Sequence, residues 1–253
     1  MSPIGPKPTG RTYREFARVY DDVMDDPRPK VARVLELVER HNPAARTLLE
    51  LGCGTGTILA GLHRFSRTGI DRSPEMLAIA REKVPEARLI EGDIADFHLA
   101  ERFDVVICVF DTLNHLPTFE LWQALFACVK EHLAEGGVLI FDVNTATKIR
   151  GLAGHGPWFW QAGETTVAMN VDPPDPTGLS QWNVWLVEHH ADGSYSGVHE
   201  PIGELGVELD RIDAALTEAG FSVLETLDEE GAPPDADAER VHFAARPLEN
   251  ARA

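Results

Sequence analysis

The sequence predicts an α/β fold: a doubly wound, mostly parallel sheet of seven strands, with a small antiparallel sheet inserted after the fifth. Three observations predict it. From Thr47 onward short apolar runs alternate with stretches of helical spacing, the rhythm of a parallel sheet covered on both faces. The first such run ends in the glycine loop Gly52-Cys53-Gly54-Thr55-Gly56, and helical spacing resumes at once. After Asn144 the rhythm changes to two-residue alternation among Trp, Gly and Pro, the signature of antiparallel strands.

Tyr13 to Met24 reads as a helix with Phe16, Ala17, Val19, Tyr20 and Val23 as its apolar members, ended by Pro27 and Pro29. A second helix, Lys30 to His41, places Val31, Val34, Leu35 and Val38 on one face. Strands are expected near Thr47–Leu51, Thr68–Asp71, Ala87–Glu91, Phe103–Val109 and Val138–Val143. Helices near Gly56–Phe65, Pro74–Lys83 and Thr118–Ala134 fill the gaps. Ser73 is the expected cap of the helix opened by Pro74, and Gly136-Gly137 the expected stop of the long one. In the inserted stretch, Glu164–Val171, the segment around Trp182–Glu188, and Tyr195–Pro201 form the antiparallel strands, the last two joined by a turn at Asp192-Gly193. A helix from Glu208 to Ala219, stopped by Gly220, leads to strands Phe221–Thr226 and Arg240–Ala245, separated by an acidic, proline-containing loop. The chain thus divides into a leader and lid helix (1–29), a nucleotide-binding core (30–150), an inserted sheet capping the substrate (151–203) and a C-terminal return to the core (204–253).

Composition narrows the partners. Lys and Arg number 23 against 41 Asp and Glu, a formal net charge of -18. Such a surface repels phosphate backbones and anionic headgroups, so nucleic acid and membrane are disfavoured. The three cysteines, Cys53, Cys108 and Cys128, lack paired spacing and read as free thiols of a reducing compartment. The start, Met1 to Pro8, reads as a flexible proline-rich leader without the apolar core of a signal peptide, and the expected location is the cytoplasm.

Glycines at the spacing of Gly52, Gly54 and Gly56 let backbone approach a ligand where a Cβ would collide. Dinucleotide-binding domains prefer Gly-x-Gly-x-x-Gly, with a pyrophosphate at the helix start. Here the pattern is Gly-x-Gly-x-Gly and Glu50 stands two positions ahead of it. That carboxylate repels a pyrophosphate and suits a ligand with an amino group, such as the methionine half of S-adenosylmethionine (SAM). Asp71, 21 positions after Glu50 (71 − 50), stands where a second strand ends and can accept hydrogen bonds from both hydroxyls of a ribose. Asp93, after the third strand, can accept from an adenine amino group, with the backbone of Ile94 at the ring edge.

Together these spots resemble the cofactor site of the class I SAM-dependent methyltransferases, whose core is Rossmann-like, and the overall arrangement looks like the small-molecule members of amino-sugar and secondary-metabolite type. The resemblance covers roughly residues 45–145 well and the closing helix–strand–strand unit more loosely. It implies SAM as cofactor, with S-adenosylhomocysteine as product. It implies a cofactor site of Glu50, Gly52, Cys53, Gly54, Thr55, Gly56, Asp71, Arg72, Met76, Gly92, Asp93, Ile94 and Phe110, under a lid carrying Tyr20. In that family the segment Phe110-Asp111-Thr112-Leu113-Asn114-His115 passes under the sulfonium and faces the acceptor.

His115 is therefore the first candidate for a general base, since its ordinary pKa lies near neutrality; a loop or capping histidine is the competing reading. Asp111 either steadies the sulfonium or caps the following turn. Four of the five tryptophans lie in the insertion, and an aromatic wall suits an apolar or cationic acceptor. Tyr13, Asn114, Trp158, Trp160 and Trp182 are the expected substrate contacts, although some of the tryptophans must form the core of the insertion itself. No metal is expected: the adjacent His189-His190 lack companion ligands at metal spacing. Asn-Pro-Pro-Tyr and Pro-Cys, the signatures of base methylation, are missing from the sequence. The expected activity is transfer of the SAM methyl group to nitrogen or oxygen of a small molecule by direct in-line displacement. The alternatives are a SAM sensor or partner-binding module without turnover, or a methyltransferase acting on tRNA or other RNA. A homodimer through the inserted sheet is a further expectation.

Overall fold

The computed structural model describes residues 13–248, so the leader read over Met1 to Pro8 lies outside the described residues. Strands Thr47–Leu51 (β1), Ser66–Asp71 (β2), Arg88–Glu91 (β3), Phe103–Cys108 (β4) and Leu133–Asn144 (β5) are followed by Trp158–Ala162 (β6), Thr165–Val171 (β7), Leu179–His189 (β8) and Tyr195–Leu205 (β9). Phe221–Leu227 (β10) and Arg240–Pro247 (β11) close the chain. A seven-stranded sheet has the order β10-β11-β5-β4-β1-β2-β3, and β6-β7-β8-β9 form a separate four-stranded sheet. β1 to β5 run parallel, β11 pairs antiparallel with β5 and β10 antiparallel with β11. All neighbours in the smaller sheet are antiparallel.

Side chains on a strand alternate between faces, and here the two faces build two cores. Leu48, Val105, Ile107 and Ile140 pack with Val34, Leu37 and Val38 of helix Arg28–His41, on the side that also holds Leu59 and Leu77. Leu49, Leu51, Val106 and Phe141 point the other way, toward Trp122 and Phe126 of Phe119–His132 and Ile212 and Leu216 of Leu209–Glu218. Burial on both faces is why β1 and β4 are almost wholly apolar, as expected of parallel strands under helices. A third cluster joins the insertion to the N-terminal segment: Phe16 and Val19 pack on Val167, Met169, Val184, Leu186 and Ile202.

β1 has neighbours on both sides, β2 and β4, so the strand order reverses between β1 and β4. The crevice outside the carboxyl ends at such a reversal is where open α/β sheets bind ligands. The loops after both strands meet there. Gly52, at φ +69°, leaves no room for a Cβ, which would sink into the Thr112 side chain.

Several boundaries differ from the sequence reading. Tyr13–Met24 is not one helix but a 3₁₀ turn, Phe16–Val19, followed by the single α-turn Tyr20–Val23 (α1). Pro29 does not stop that helix; it lies in the first turn of Arg28–His41 (α2), where its missing N–H costs nothing. The expected helix Gly56–Phe65 is only Thr57–Gly61 (α3), while Pro74–Lys83 (α4) has its expected limits and its cap, Ser73 Oγ accepting from Met76 N at 3.2 Å. Phe119–His132 (α5) ends before Gly136-Gly137, because Leu133 is already extended and the glycines lie within β5. Ala146–Leu152 (α6) and β6 had no counterpart in the reading; Leu209–Glu218 (α7) did. Among the described residues no helix is long and apolar enough to cross a membrane.

Candidate functional site

Three adjoining hollows lie at the carboxyl edge of β1 and β4. The first, about 700 Å³ of empty space, is lined by Gly52, Gly54, Asp71, Asp93, Ile94 and Met76, with Arg72 and Gly92 also on its wall. The second, about 520 Å³, lies on the other side of the glycine loop and reaches Glu50, Cys53 and Thr55. The third, about 850 Å³, opens between the N-terminal segment and the inserted sheet, against Trp160, Trp182 and Glu204. Tyr20 and Phe110 touch all three, and Tyr13 and His115 stand between the first and the third.

The glycine loop is tied to β2. Gly52 and Cys53 donate to the carbonyl of Ile70, at 2.7 and 3.0 Å, and Gly54 N donates to Asp71 Oδ2 at 2.8 Å. Asp71 Oδ1 accepts from Ser73 N at 2.8 Å, so backbone N–H groups hold both carboxylate oxygens at the edge of the hollow. Burial raises the Asp71 pKa, and those N–H groups oppose the shift. Gly54, at φ +51°, would project a Cβ into open space, so its backbone is the floor of a cradle that any side chain would fill. Glu50 is 2 % exposed and its Oε2 accepts no hydrogen bond among the described residues. Burial first, and Asp71 second, push its carboxyl well above the ordinary range. The Leu59 backbone opposes that shift, and a buried carboxylate oxygen left without a partner is costly unless a donor or cation comes to it.

The loop after β4 is held by a buried ion cluster. Phe110 and Asp111 both have positive φ, +66° and +50°, a conformation disfavoured for side-chain-bearing residues. Asp142 of β5 stabilises it by accepting from Phe110 N at 3.1 Å and Asp111 N at 2.7 Å. Arg240 of β11 bridges the two acids, with Nη1 on Asp142 at 2.9 Å and Nη2 on Asp111 at 2.7 Å. Beyond this turn His115 Nδ1 lies 3.0 Å from the carbonyl of Gly203, which accepts only from a protonated nitrogen. The neutral ring therefore carries its lone pair on Nε2, 3.1 Å from the Tyr13 hydroxyl. Burial lowers the His115 pKa and the neighbouring Asp111 opposes it, while burial raises that of Tyr13; the pair is a neutral base with a protonated phenol.

Comparison with known proteins supplies the decisive observation. The family model described as a methyltransferase domain matches residues 48–137. A Geobacillus sp. (strain WCH70) protein, whose name gives the class methyltransferase and no acceptor, is 30% identical over 248 residues, 93% of this chain and 99% of that one. The chain belongs to the class I SAM-dependent methyltransferases. Its cofactor is SAM. The dTDP-3-amino-3,4,6-trideoxy-alpha-D-glucopyranose N,N-dimethyltransferase of Streptomyces venezuelae is 38% identical over 111 residues, but that match spans only 43% of this methyltransferase and 47% of the relative. SAM-bound CalS10, an amino pentose methyltransferase from Micromonospora echinaspora, is 25% identical with a TM-score of 0.74, covering 94% of this chain and 99% of that one.

The residues present fit SAM: the Gly54 cradle has no side chain to obstruct it, and the buried Glu50 Oε2, without a partner among the described residues, is an acceptor for a cationic amino acid end. Of the methyltransferase residues expected from sequence, Gly52, Gly54, Asp71, Arg72, Met76, Gly92, Asp93, Ile94, Tyr20 and Phe110 share the first hollow. Glu50, Cys53 and Thr55 face the adjoining one. Gly56 lines neither; its missing Cβ is needed where α3 crosses α4, against Val84 and Ala80. Asn114 is sealed inside, its amide donating to the carbonyls of Asn144 and Leu205, both at 2.9 Å, so it ties β5 to β9 instead of facing a hollow. Trp160 and Trp182 line the third hollow, whereas Trp158 is not on its wall and packs beside Gly156. Asp111 reaches the third hollow with one oxygen already paired to Arg240. Sequence reasoning missed Glu204, Asp142 and Arg240. For Asp142 the available signal was a charged residue in the apolar run Val138–Val143.

Proposed function

We propose that this methyltransferase transfers the SAM methyl group by in-line displacement to the nitrogen of a small-molecule amine bound in the third hollow. The observation that carries the reading is the Tyr13–His115 pair, which stands where the first hollow meets the third. In this reading Asp71 receives the ribose hydroxyls, Asp93 and Ile94 the adenine edge, and Glu50 the amino acid end. When bound, SAM supplies an electrophilic methyl group. The protein supplies alignment, exclusion of water and a lone pair on His115 Nε2 to take a proton from the acceptor nitrogen. The inserted sheet and the segment from Tyr13 to Met24 form the roof, with Trp160 and Trp182 as its apolar wall. Amino sugars are the acceptors favoured by the Streptomyces relative.

The test is formation of S-adenosylhomocysteine with the amino sugar that names that relative, run beside its hydroxyl analogue. Methylation of the amine is expected, and His115→Phe is expected to lower kcat by ~10²–10⁴ while SAM affinity holds. Methylation of the hydroxyl analogue alone, or an unaltered rate in the variant, would overturn the assignment.

A further inference from the structure

The inner end of the third hollow presents hydrogen-bond acceptors from several elements. Glu204, on β9, is 4 % exposed, and its Oε2 accepts from Asn144 Nδ2 at 3.1 Å. Asp111 Oδ2 lies 3.8 Å from His115 Nε2. One side-chain atom each from Asp111, His115 and Glu204 lie within 4.8 Å of one another. Beside them Asn144, 3 % exposed and on the wall of the same hollow, has a side-chain oxygen that accepts no hydrogen bond among the described residues. A neutral hydroxyl offers one donor to such a set. A divalent cation would stand close to the Arg240 guanidinium, which is already 2.7 Å from Asp111. An ammonium group offers up to three N–H donors and a single charge.

We propose that Glu204, with Asp111, forms an ammonium subsite that captures the acceptor in its protonated form and selects a charged nitrogen over a hydroxyl of the same shape. The inference rests on the reading of this chain as an amine methyltransferase and adds to it a specificity residue. The third hollow is lined by the carboxyls of Asp25, Asp111 and Glu204 and by the cations Lys148 and Arg240, the latter also paired with Asp142. Burial, reinforced by Asp111, pushes the Glu204 carboxyl up to about 8, and an arriving cation reverses that shift. Trp160 and Trp182 line the same hollow, and indole rings attract cations. The buried Trp182 Nε1, unpartnered among the described residues, is a donor for an oxygen elsewhere on the same acceptor.

Isothermal titration of the full chain saturated with S-adenosylhomocysteine tests this, with trans-4-aminocyclohexanol and cyclohexane-1,4-diol as probes. The amine is expected to bind at least tenfold more tightly than the diol. Glu204→Gln is expected to remove most of that preference, and Glu204→Asp to restore part of it, with the affinity for S-adenosylhomocysteine unchanged. Equal affinities, no binding of either probe, or a preference that survives in Glu204→Gln overturns the subsite. So does Mn²⁺ binding that Glu204→Gln abolishes and the amine does not displace. If the wild-type chain fails to hold S-adenosylhomocysteine, the methyltransferase reading beneath the proposal fails with it, which separates the two failures.

Discussion

Glu204 shows how one buried side chain couples chemistry to stability. Its pKa rises from the ordinary 4.5 to about 8 on folding, so between those limits the folded state binds more protons than the unfolded one. Stability attributable to this group therefore falls as pH rises from about 4.5 to about 8. Glu204→Gln keeps an oxygen for Asn144 and loses the titration. Its melting temperature relative to wild type is expected to climb between pH 5 and pH 8; a gap that stays flat would contradict the shift. Asp111 behaves differently. Truncation to Ala leaves Arg240 buried with one fewer partner, and because Asp142 remains, the cost should be about 2–3 kcal/mol, below the ~3–5 of a fully broken buried pair. Calorimetry should then show a fall in Tm of roughly 5–10 °C. Glu50, Asp71 and Asp93 could be singled out from sequence because their joint spacing about the glycine loop resembles a known cofactor site. Arg240 and Asp111 are 129 residues apart in the chain, and no short-range pattern announces such a pair.

The least legible element was the N-terminal segment. Its apolar residues suggested a plain helix, yet its conformation is set by contacts distant in sequence. Glu200 of β9 accepts from the backbone N–H of Arg14, Glu15 and Phe16, at 2.7, 3.2 and 2.7 Å, and so starts the 3₁₀ turn. At the other end Asp21 takes the hydroxyls of Thr55 and Thr57, at 2.7 and 3.0 Å, and pairs with Lys83 at 2.5 Å. One end is thus bolted to the inserted sheet and the other to the glycine loop. Glu200→Ala removes three charge-assisted bonds, each worth ~1.5–3 kcal/mol in other proteins. Amide hydrogen exchange of residues 14–24 should accelerate at least tenfold in that variant, while β1 amides keep their protection; unchanged protection would refute the role given to Glu200. The regular βα units were legible because period and length agree there. β6 was not, since an edge strand with the exposed Phe159 between Trp158 and Trp160 carries no clean alternation.

For the molecule as a whole, the sheet order places the glycine loop and the strained turn after β4 against each other at the reversal between β1 and β4. The insertion then closes the space above them, joined to the core by the Asn114 amide and the Phe16 cluster. A net charge of -18 repels polyanions and attracts small cations. The central claim is that Asp71 and the glycine cradle hold the adenosyl group of SAM. Isothermal titration of wild type and Asp71→Asn with SAM and S-adenosylhomocysteine tests it most directly. One-to-one binding of both ligands by wild type, weakened at least tenfold in a natively folded Asp71→Asn, is the predicted result. Absence of binding at millimolar ligand, or equal affinity in the two proteins, would contradict it.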